Sequence, residues 1–430
     1  MFRIVSRRLS ITASILALWL IVLIPAYSKP VEILVWHALA GKLGREVRQL
    51  SDEFNRSQTN FIIKPVYKGN YLETLTSFAA AFRAHQPPAI VQIFEVGAPT
   101  MLNPPGIIKP VGELMREQGY ELPVSSFFPV VRGHYSQNGQ LMAMPFNISV
   151  PVIFYNADAL RKLGYDEKNF PTTWKEFEIL AKKIREAGFA CAYTSAYPSW
   201  VLFESFSALH AKPMIVEQQA KYNSPAFVHH LNRLKRWQSL RYFEYGGRTD
   251  EGTFLFISNR CAMLSQSSGA YTSLSDSVSF KVGMAAIPWD SDISSERSNN
   301  VAGGAALWAV AGQSAEVYKG TAQFFAYLAK PEVQQRWHLN TGYLPLGIDG
   351  VYKTAFAGSE HPSLRLARTE LSANVVVLLG VQNQLRLIND EALEAVFAGI
   401  KSPQDALDDA VKRANHALLR FNHNTGRING

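Results

Sequence analysis

The chain has 430 residues, of which 47% are apolar and 12% aromatic, and 43 Lys and Arg residues against 35 Asp and Glu residues give a formal net charge of +8. This length predicts two or three domains, with enough apolar residues for more than one core. The composition excludes a disordered chain, a collagen-like chain and a small disulfide scaffold.

The first 28 residues have the features of a secretory signal peptide. A basic start with Arg3, Arg7 and Arg8 precedes an apolar, acid-free stretch over residues 9–24. Small residues then lie at positions −3 and −1 of a cut before Lys29. We therefore expect cleavage before Lys29 and a periplasmic protein. The alternative is an uncleaved membrane anchor.

The first predicted elements alternate between strands and helices. Strand patterns at residues 31–36, 61–67 and 89–94 enclose amphipathic helix patterns at residues 43–54 and 71–82. In the first helix pattern, apolar residues recur at spacings of three and four, which places them on one helix face. This order predicts βαβ units and a parallel sheet, and therefore an α/β fold.

The same alternation recurs further along the chain. Residues 151–156 form a strand pattern. Thr173 and Glu176 form a capping box, in which each side chain accepts a hydrogen bond from the other residue's backbone amide. Ser402 followed by Pro403 predicts the start of the last helix.

The chain contains two cysteines, Cys191 and Cys261, each in a short apolar segment typical of a strand. In an oxidising compartment two such residues can form one disulfide. Two separate buried thiols are the alternative. The sequence leaves both open, because the required geometry is not visible in it.

Residue patterns typical of catalysis are missing from the sequence. The ten histidines are dispersed, and no metal-ligand spacing surrounds the adjacent pair His229 and His230. Neither a nucleophile elbow nor a phosphate-binding P-loop occurs. Asp390 and Glu391 would point apart on a helix, which argues against joint acid–base work. We therefore expect a protein that is not an enzyme and that needs no cofactor or metal.

A series of short motifs occurs in a characteristic order. The first set is Pro151-Val152-Ile153-Phe154-Tyr155-Asn156, Pro171-Thr172-Thr173-Trp174, Ala329-Lys330-Pro331-Glu332 and Thr341-Gly342-Tyr343-Leu344-Pro345. With these motifs the chain resembles the extracellular solute-binding proteins of ABC importers, the family that includes maltose-binding protein. The second set is Trp36-His37, Tyr67-Lys68-Gly69-Asn70-Tyr71, Phe94-Glu95-Val96-Gly97, Pro145-Phe146-Asn147, Ser267-Ser268-Gly269 and Ala302-Gly303-Gly304-Ala305. It is similar to the glycerol-3-phosphate-binding members of that family.

The resemblance implies a periplasmic-binding-protein type II fold. In this fold two α/β lobes, joined by a multi-segment hinge, enclose a ligand cleft. Carried over to this sequence, the N-terminal lobe comprises residues 29–147 and 304–345. The C-terminal lobe comprises residues 148–303 and 346–430.

Three positions are suited to bind a phosphate group. The resemblance assigns Ser267 to this role, and the Gly304 amide can approach an oxygen where a side chain would block it. Arg386 offers a permanently charged, bidentate donor. Each position has an alternative: Ser267 caps a helix, Gly304 only makes a flexible turn, and Arg386 pairs with Asp390 four residues on.

The resemblance also implies the remaining ligand contacts. Ser149, Tyr343 and Tyr71 match residues at the phosphate end. Glu95 matches a carboxylate that accepts hydrogen bonds from the glycerol hydroxyls. Trp200 matches one of two tryptophans that pack on the ligand.

Tyr197 departs from the pattern, because it stands where the second tryptophan is expected. Tyrosine keeps an aromatic face but is smaller, and the change could leave room for a larger ligand. A glycerophosphodiester such as glycerophosphocholine would fit, with its choline group against aromatic faces.

We therefore expect the solute-binding component of an ABC importer. It would capture glycerol-3-phosphate or a glycerophosphodiester and deliver it to the permease subunits with their ATPase, acting as a monomer. The Lys and Arg residues are scattered, with no run of five, so we expect no nucleic-acid partner. Two alternatives stay open: an oligosaccharide-binding protein, and a secreted hydrolase of phosphoesters.

Overall fold

The computed structural model describes residues 29–103, 105–371 and 380–424. The predicted signal peptide therefore lies outside the described residues. Within these ranges no helix combines the length and the apolar character needed to span a membrane.

The described residues form two five-stranded sheets and two short hairpins. In chain order the strands are β1 Val31–His37, β2 Phe61–Tyr67, β3 Ile90–Phe94, β4 Ser136–Gln137, β5 Gln140–Leu141, β6 Met144–Ser149, β7 Pro151–Asn156, β8 Cys191–Ser195, β9 Ile215–Val216, β10 Gln219–Ala220, β11 Phe243–Tyr245, β12 Cys261–Ser267, β13 Val282–Ala286 and β14 Gly303–Ala309. The α-helices are Gly41–Ser57, Tyr71–Arg83, Ala98–Leu102, Val111–Glu117, Pro129–His134, Ala157–Lys162, Trp174–Glu186, Ser205–Leu209, Pro225–Ser239, Gly252–Ile257, Tyr271–Ser277, Ala315–Leu328, Pro331–Thr341, Pro362–Glu370, Gln382–Phe397 and Pro403–Asn424.

The first sheet has the strand order β2-β1-β3-β14-β6. Strand β1 pairs in parallel with β2 and β3, whereas β14 runs antiparallel to β3 and β6. Helices Gly41–Ser57 and Tyr71–Arg83 connect the parallel strands and bury one face each, with Phe54 and Phe78 among the buried residues. The predicted α/β class and the N-terminal βαβ order are confirmed.

The second sheet has the strand order β11-β8-β12-β7-β13. Strand β8 is parallel to β11 and β12, and β7 is antiparallel to β12 and β13. Cys191 and Cys261 are register partners in β8 and β12, with their Cα atoms 4.6 Å apart, and form a disulfide. The bond therefore ties together two central strands of this sheet.

The chain crosses from the first sheet to the second through a single residue. Val150 separates β6 of the first sheet from β7 of the second. The chain returns to the first sheet between β13 and β14. Residues 346–356, which the resemblance placed with the second lobe, contact elements near the first sheet: the Phe128 amide donates to the Leu346 carbonyl at 2.8 Å, and the Tyr352 hydroxyl donates to the Ala329 carbonyl at 2.9 Å.

The predicted helix starts are confirmed. The Thr173 hydroxyl accepts from the Glu176 amide at 3.3 Å, and the Glu176 carboxylate accepts from the Thr173 amide at 3.1 Å. Ser402 accepts from the Asp405 amide at 3.1 Å. These bonds satisfy amides that a helix leaves unpaired in its first turn.

Candidate functional site

Three charged side chains meet between the two sheets. Glu95 begins a short 3₁₀ turn directly after β3, Arg386 lies in helix Gln382–Phe397, and Glu204 ends a π-helical turn, Ser199–Glu204. Arg386 Nε and Nη2 each donate to one oxygen of Glu204 at 2.8 Å. The same Nη2 donates to Glu95 Oε1 at 2.9 Å. We call Glu95, Arg386 and Glu204 the charged cluster.

The charged cluster is well buried. The side chains of Glu95, Glu204 and Arg386 are 8%, 11% and 19% exposed. Burial disfavours the charged form of Arg386, but Glu204 and Glu95 outweigh it, so the pKa of the guanidinium is raised. Burial raises the pKa of Glu95, and Arg386 opposes the rise. Arg386 therefore stays charged and pairs with the carboxyl groups of both Glu95 and Glu204.

The sequence offered Asp390 as an alternative partner of Arg386. In the structure, Arg386 donates to Glu204 and Glu95 instead. Asp390 is 6% exposed, and its Oδ1 has no hydrogen-bond partner among the described residues. Burial raises the pKa of this carboxyl to about 7. Helical spacing alone suggested the pair, but packing brings Glu204 and Glu95 to the guanidinium instead.

A second group of polar side chains, the hydroxyl cluster, consists of Tyr71, Asn147 and Tyr343. Asn147 Nδ2 donates to the Tyr71 hydroxyl at 2.8 Å, and its Oδ1 accepts from Gln92 Nε2 at 2.7 Å. Gln92 in turn accepts from the Ala38 amide at 2.8 Å. Burial raises the pKa of Tyr343, and hydrogen bonding with Asn147 and Tyr71 opposes the rise. These hydroxyls therefore stay protonated and keep a hydrogen to donate.

Glycines allow the chain to approach two residues of the hydroxyl cluster closely. A Cβ at Gly304 would lie 1.7 Å from the Asn147 carbonyl oxygen, and Gly304 has φ +115°. A Cβ at Gly269 would lie 2.4 Å from the Tyr343 ring. Gly304 lies in β14 of the first sheet and Gly269 in the turn after β12 of the second sheet, so each sheet contributes one close approach.

The two candidate serines differ in their surroundings. The Ser267 hydroxyl accepts from the Gly269 amide at 3.2 Å, which is the capping arrangement that the sequence left open. That hydroxyl still has its own hydrogen to donate. Ser149 is the last residue of β6, is 2% exposed and pairs in register with Gly303.

The two aromatic residues lie at different depths. Trp200 is 6% exposed, and a Cβ at Gly303 would lie 2.4 Å from its ring. Its indole Nε1 has no hydrogen-bond partner among the described residues. Tyr197 is 39% exposed and has φ +49°. Tyr343 is among the groups that raise its pKa, after burial and Asp250. Tyr197 is therefore the more exposed of the two residues and lies at the open edge.

Four of the nine predicted site residues lie in these clusters: Glu95 and Arg386 in the charged cluster, and Tyr71 and Tyr343 in the hydroxyl cluster. Sequence reasoning missed Glu204, Asn147 and His134. Neither ring nitrogen of His134 has a partner among the described residues, and burial together with Arg386 lowers its pKa to about 4. Asn147 stood within a quoted motif, but Glu204 and His134 had no local signal that would have marked them.

One group of side chains in the described ranges has the spacing of metal ligands: Cys191, Glu244 and Cys261. Both sulfurs are used in the disulfide. The Glu244 carboxylate accepts from Arg260 Nε at 2.9 Å. The group therefore offers no free thiolate to a metal.

Known proteins resemble this chain closely in sequence. The family model described as bacterial extracellular solute-binding protein matches residues 49–360. The sn-glycerol-3-phosphate-binding periplasmic protein UgpB of Pectobacterium atrosepticum is 38% identical over 412 residues, which cover 92% of this chain and 93% of that protein. The protein of the same name from Escherichia coli O1:K1 is 38% identical over 432 residues, which cover 96% and 98%.

Solved structures resemble it in fold. The GacH receptor of Streptomyces glaucescens superimposes with a TM-score of 0.78 at 17% identity, covering 91% of this chain and 99% of that one. UgpB from Mycobacterium tuberculosis, solved in complex with glycerophosphocholine, superimposes with a TM-score of 0.77 at 19% identity, covering 92% and 99%. The predicted type II fold is thereby confirmed.

Proposed function

The chain belongs to the bacterial extracellular solute-binding proteins, a family of periplasmic ligand carriers, and we propose that it captures glycerol-3-phosphate and glycerophosphodiesters for an ABC importer. The observation that carries this proposal is the buried guanidinium of Arg386 at the gap between the two sheets, beside the hydroxyl cluster. A buried, permanently charged group at a cleft is suited to an anionic ligand. A neutral oligosaccharide does not need such a charge.

The donors around the gap fit a phosphate group. Short donors that carry little side-chain bulk can surround a phosphate on several sides. The Tyr71 and Tyr343 hydroxyls, the Ser267 and Ser149 hydroxyls and the Gly304 amide are donors of this kind. The relatives that share 38% identity with the chain are named for binding sn-glycerol-3-phosphate, which supports the same ligand class.

The glycerol end of the ligand would meet Glu95 and the aromatic residues. The Glu95 carboxylate can accept from hydroxyl groups, and Trp200 supplies a flat apolar wall. The half-exposed Tyr197 at the open edge leaves space for a second alcohol on the phosphate. We therefore include glycerophosphodiesters such as glycerophosphocholine among the ligands.

Binding would act by closing two lobes built on the two sheets. The Glu95–Arg386 bond joins groups from both sides, and a ligand can replace it on both partners at once. Its phosphate would accept from Arg386, and its hydroxyls would donate to Glu95. Closure then depends on contacts that the closed form makes better than the open form. The closed protein, a monomer without catalytic activity, would dock on the importer's permease subunits.

Isothermal titration calorimetry of the mature protein with glycerol-3-phosphate, glycerophosphocholine and maltose tests this function. We expect binding of at least one phosphate ester and none of maltose. Arg386→Ala should abolish phosphate-ester binding while circular dichroism stays that of a folded protein. Arg386→Lys keeps one positive charge without the bidentate geometry and should retain weak binding. Wild-type affinity in Arg386→Ala would overturn the assignment.

A further inference from the structure

Glu204 is held more firmly on Arg386 than Glu95 is. Two parallel hydrogen bonds of 2.8 Å join Glu204 to the guanidinium, and Gln382 Nε2 donates to the same carboxylate at 2.8 Å. Gln382 and Arg386 lie on one face of the same helix, four residues apart. The Glu204 carboxylate therefore accepts three hydrogen bonds from side chains of one helix.

Glu204 and Glu95 also differ in where they come from. Phe203, the residue before Glu204, packs in one hydrophobic cluster with Leu385 and Ile388 of helix Gln382–Phe397. Glu95 instead follows β3 of the first sheet and reaches Arg386 by one bond of 2.9 Å. A lobe movement or a ligand would therefore break the Glu95 bond and leave the Glu204 pair intact.

We propose that Glu204 is a specificity-determining residue, which weakens binding of dianionic phosphomonoesters relative to monoanionic phosphodiesters. This inference rests on the proposed function. A phosphate that takes the place of Glu95 on Arg386 meets a guanidinium whose charge Glu204 already balances. The fixed carboxylate also repels the phosphate directly.

The repulsion scales with the charge of the ligand, because the interaction of two charges is proportional to their product. A phosphomonoester carries a charge of about −1.5 to −2 at pH 7, since its second pKa is about 6. A phosphodiester carries one negative charge at the same pH. Glu204 therefore penalises the monoester more than the diester, and the size of its effect on each ligand identifies its role.

Glu204→Gln tests this inference, because Gln keeps the shape, removes the charge and can still accept from Arg386 Nε and Gln382 Nε2 with its single oxygen. The ligands are glycerol-3-phosphate and glycerophosphoglycerol, a diester whose second alcohol is uncharged. We expect calorimetry at pH 8 to give an affinity gain of about tenfold for the monoester and about threefold for the diester. At pH 5, where the monoester carries about one charge, the two gains should become similar.

Glu178→Gln is the matched control. Glu178 also binds an arginine with both oxygens, Arg236 at 2.5 and 2.6 Å, but it lies on the outer helix Trp174–Glu186. The Glu178→Gln variant should bind both ligands with wild-type affinity. Equal gains for both ligands at pH 8, or a loss of monoester affinity in Glu204→Gln, would overturn the inference while the proposed function stands. If the wild-type protein bound neither ligand, the proposed function would fall and this inference with it.

Discussion

Glu95 and Arg386 form a salt bridge of 2.9 Å between the turn that follows β3 of the first sheet and helix Gln382–Phe397. Glu95 follows β3, whereas the helix of Arg386 packs against helix Pro225–Ser239 on the side of the second sheet. Two buried opposite charges that satisfy each other avoid the large penalty of an unpaired buried charge. The same two groups are those that a phosphate and a hydroxyl would take over, so a ligand with both can enter without leaving either charge unpaired.

Gly304→Ala should disrupt both the fold around the gap and ligand binding. Its Cβ would meet the Asn147 carbonyl oxygen at 1.7 Å, and φ at this position is +115°. Because the contact is with backbone, neither group can move aside without disturbing the pairing of β6 with β14. We expect a loss of stability of at least ~2 kcal/mol and weaker ligand binding, measured by urea unfolding and calorimetry.

Gly312→Ala separates the steric clash from the backbone conformation. Gly312 also has a positive φ, +80°, but an added Cβ there would have nothing within 4 Å. This variant should lose only about 1 kcal/mol and bind ligand normally. If the two variants lost equal stability, the close approach at Asn147 would not be the cause.

Tyr197→Trp should narrow the open edge of the site. Tyr197 is 39% exposed, so a larger ring at this position would take up space at the open edge. We expect the affinity for glycerophosphocholine to fall about tenfold relative to that for glycerol-3-phosphate, by calorimetry of both ligands; each tenfold corresponds to about 1.4 kcal/mol.

Tyr197→Phe distinguishes ring size from the hydroxyl. It keeps the ring and removes the hydroxyl, so it should leave the ratio of the two affinities close to the wild-type ratio. Both variants lack the hydroxyl, so an equal change of the ratio in Tyr197→Phe and Tyr197→Trp would show that the hydroxyl, and not the available space, sets the preference.

Local patterns in the sequence predicted much of the fold. Strands β2 and β7 begin and end at the residues that the apolar patterns indicated. The Thr173–Glu176 capping box formed as predicted. These features depend on neighbours within about four residues along the chain, so their physical causes are visible in the sequence.

The charged cluster could not be predicted in the same way. Arg386 and Glu204 are 182 residues apart, and nothing near either residue marks the other as its partner. The helical i,i+4 rule suggested Asp390 instead. That rule describes pairs on an exposed helix face, whereas this face is buried and several carboxylates compete for one guanidinium. The family resemblance predicts Arg386 and Glu95 as site residues, but it gives no indication that they bind each other.

Asp390 provides the last prediction, which concerns stability and pH. Burial raises the pKa of its carboxyl from 3.8 to about 7. Between these values the folded protein holds a proton that the unfolded chain has released, so this group lowers the free energy of unfolding as the pH rises from about 4 to about 7. Asp390→Asn cannot ionise and should escape this loss. We expect the free energy of unfolding of the variant to exceed that of the wild-type protein by about 4 kcal/mol at pH 8 and to differ little at pH 4, measured by thermal unfolding across this range.

Glu391→Gln is the control, because it removes a carboxylate from the next position on the same helix. Glu391 faces outward and pairs with Arg413 at 2.6 Å, with both side chains more than 40% exposed. Exposed pairs contribute little to stability, so this variant should follow the wild-type pH profile within about 1 kcal/mol. Parallel profiles for Asp390→Asn and the wild-type protein would instead mean that Asp390 ionises without penalty, and that the Arg248 and Arg386 charges, which oppose the shift, outweigh its burial.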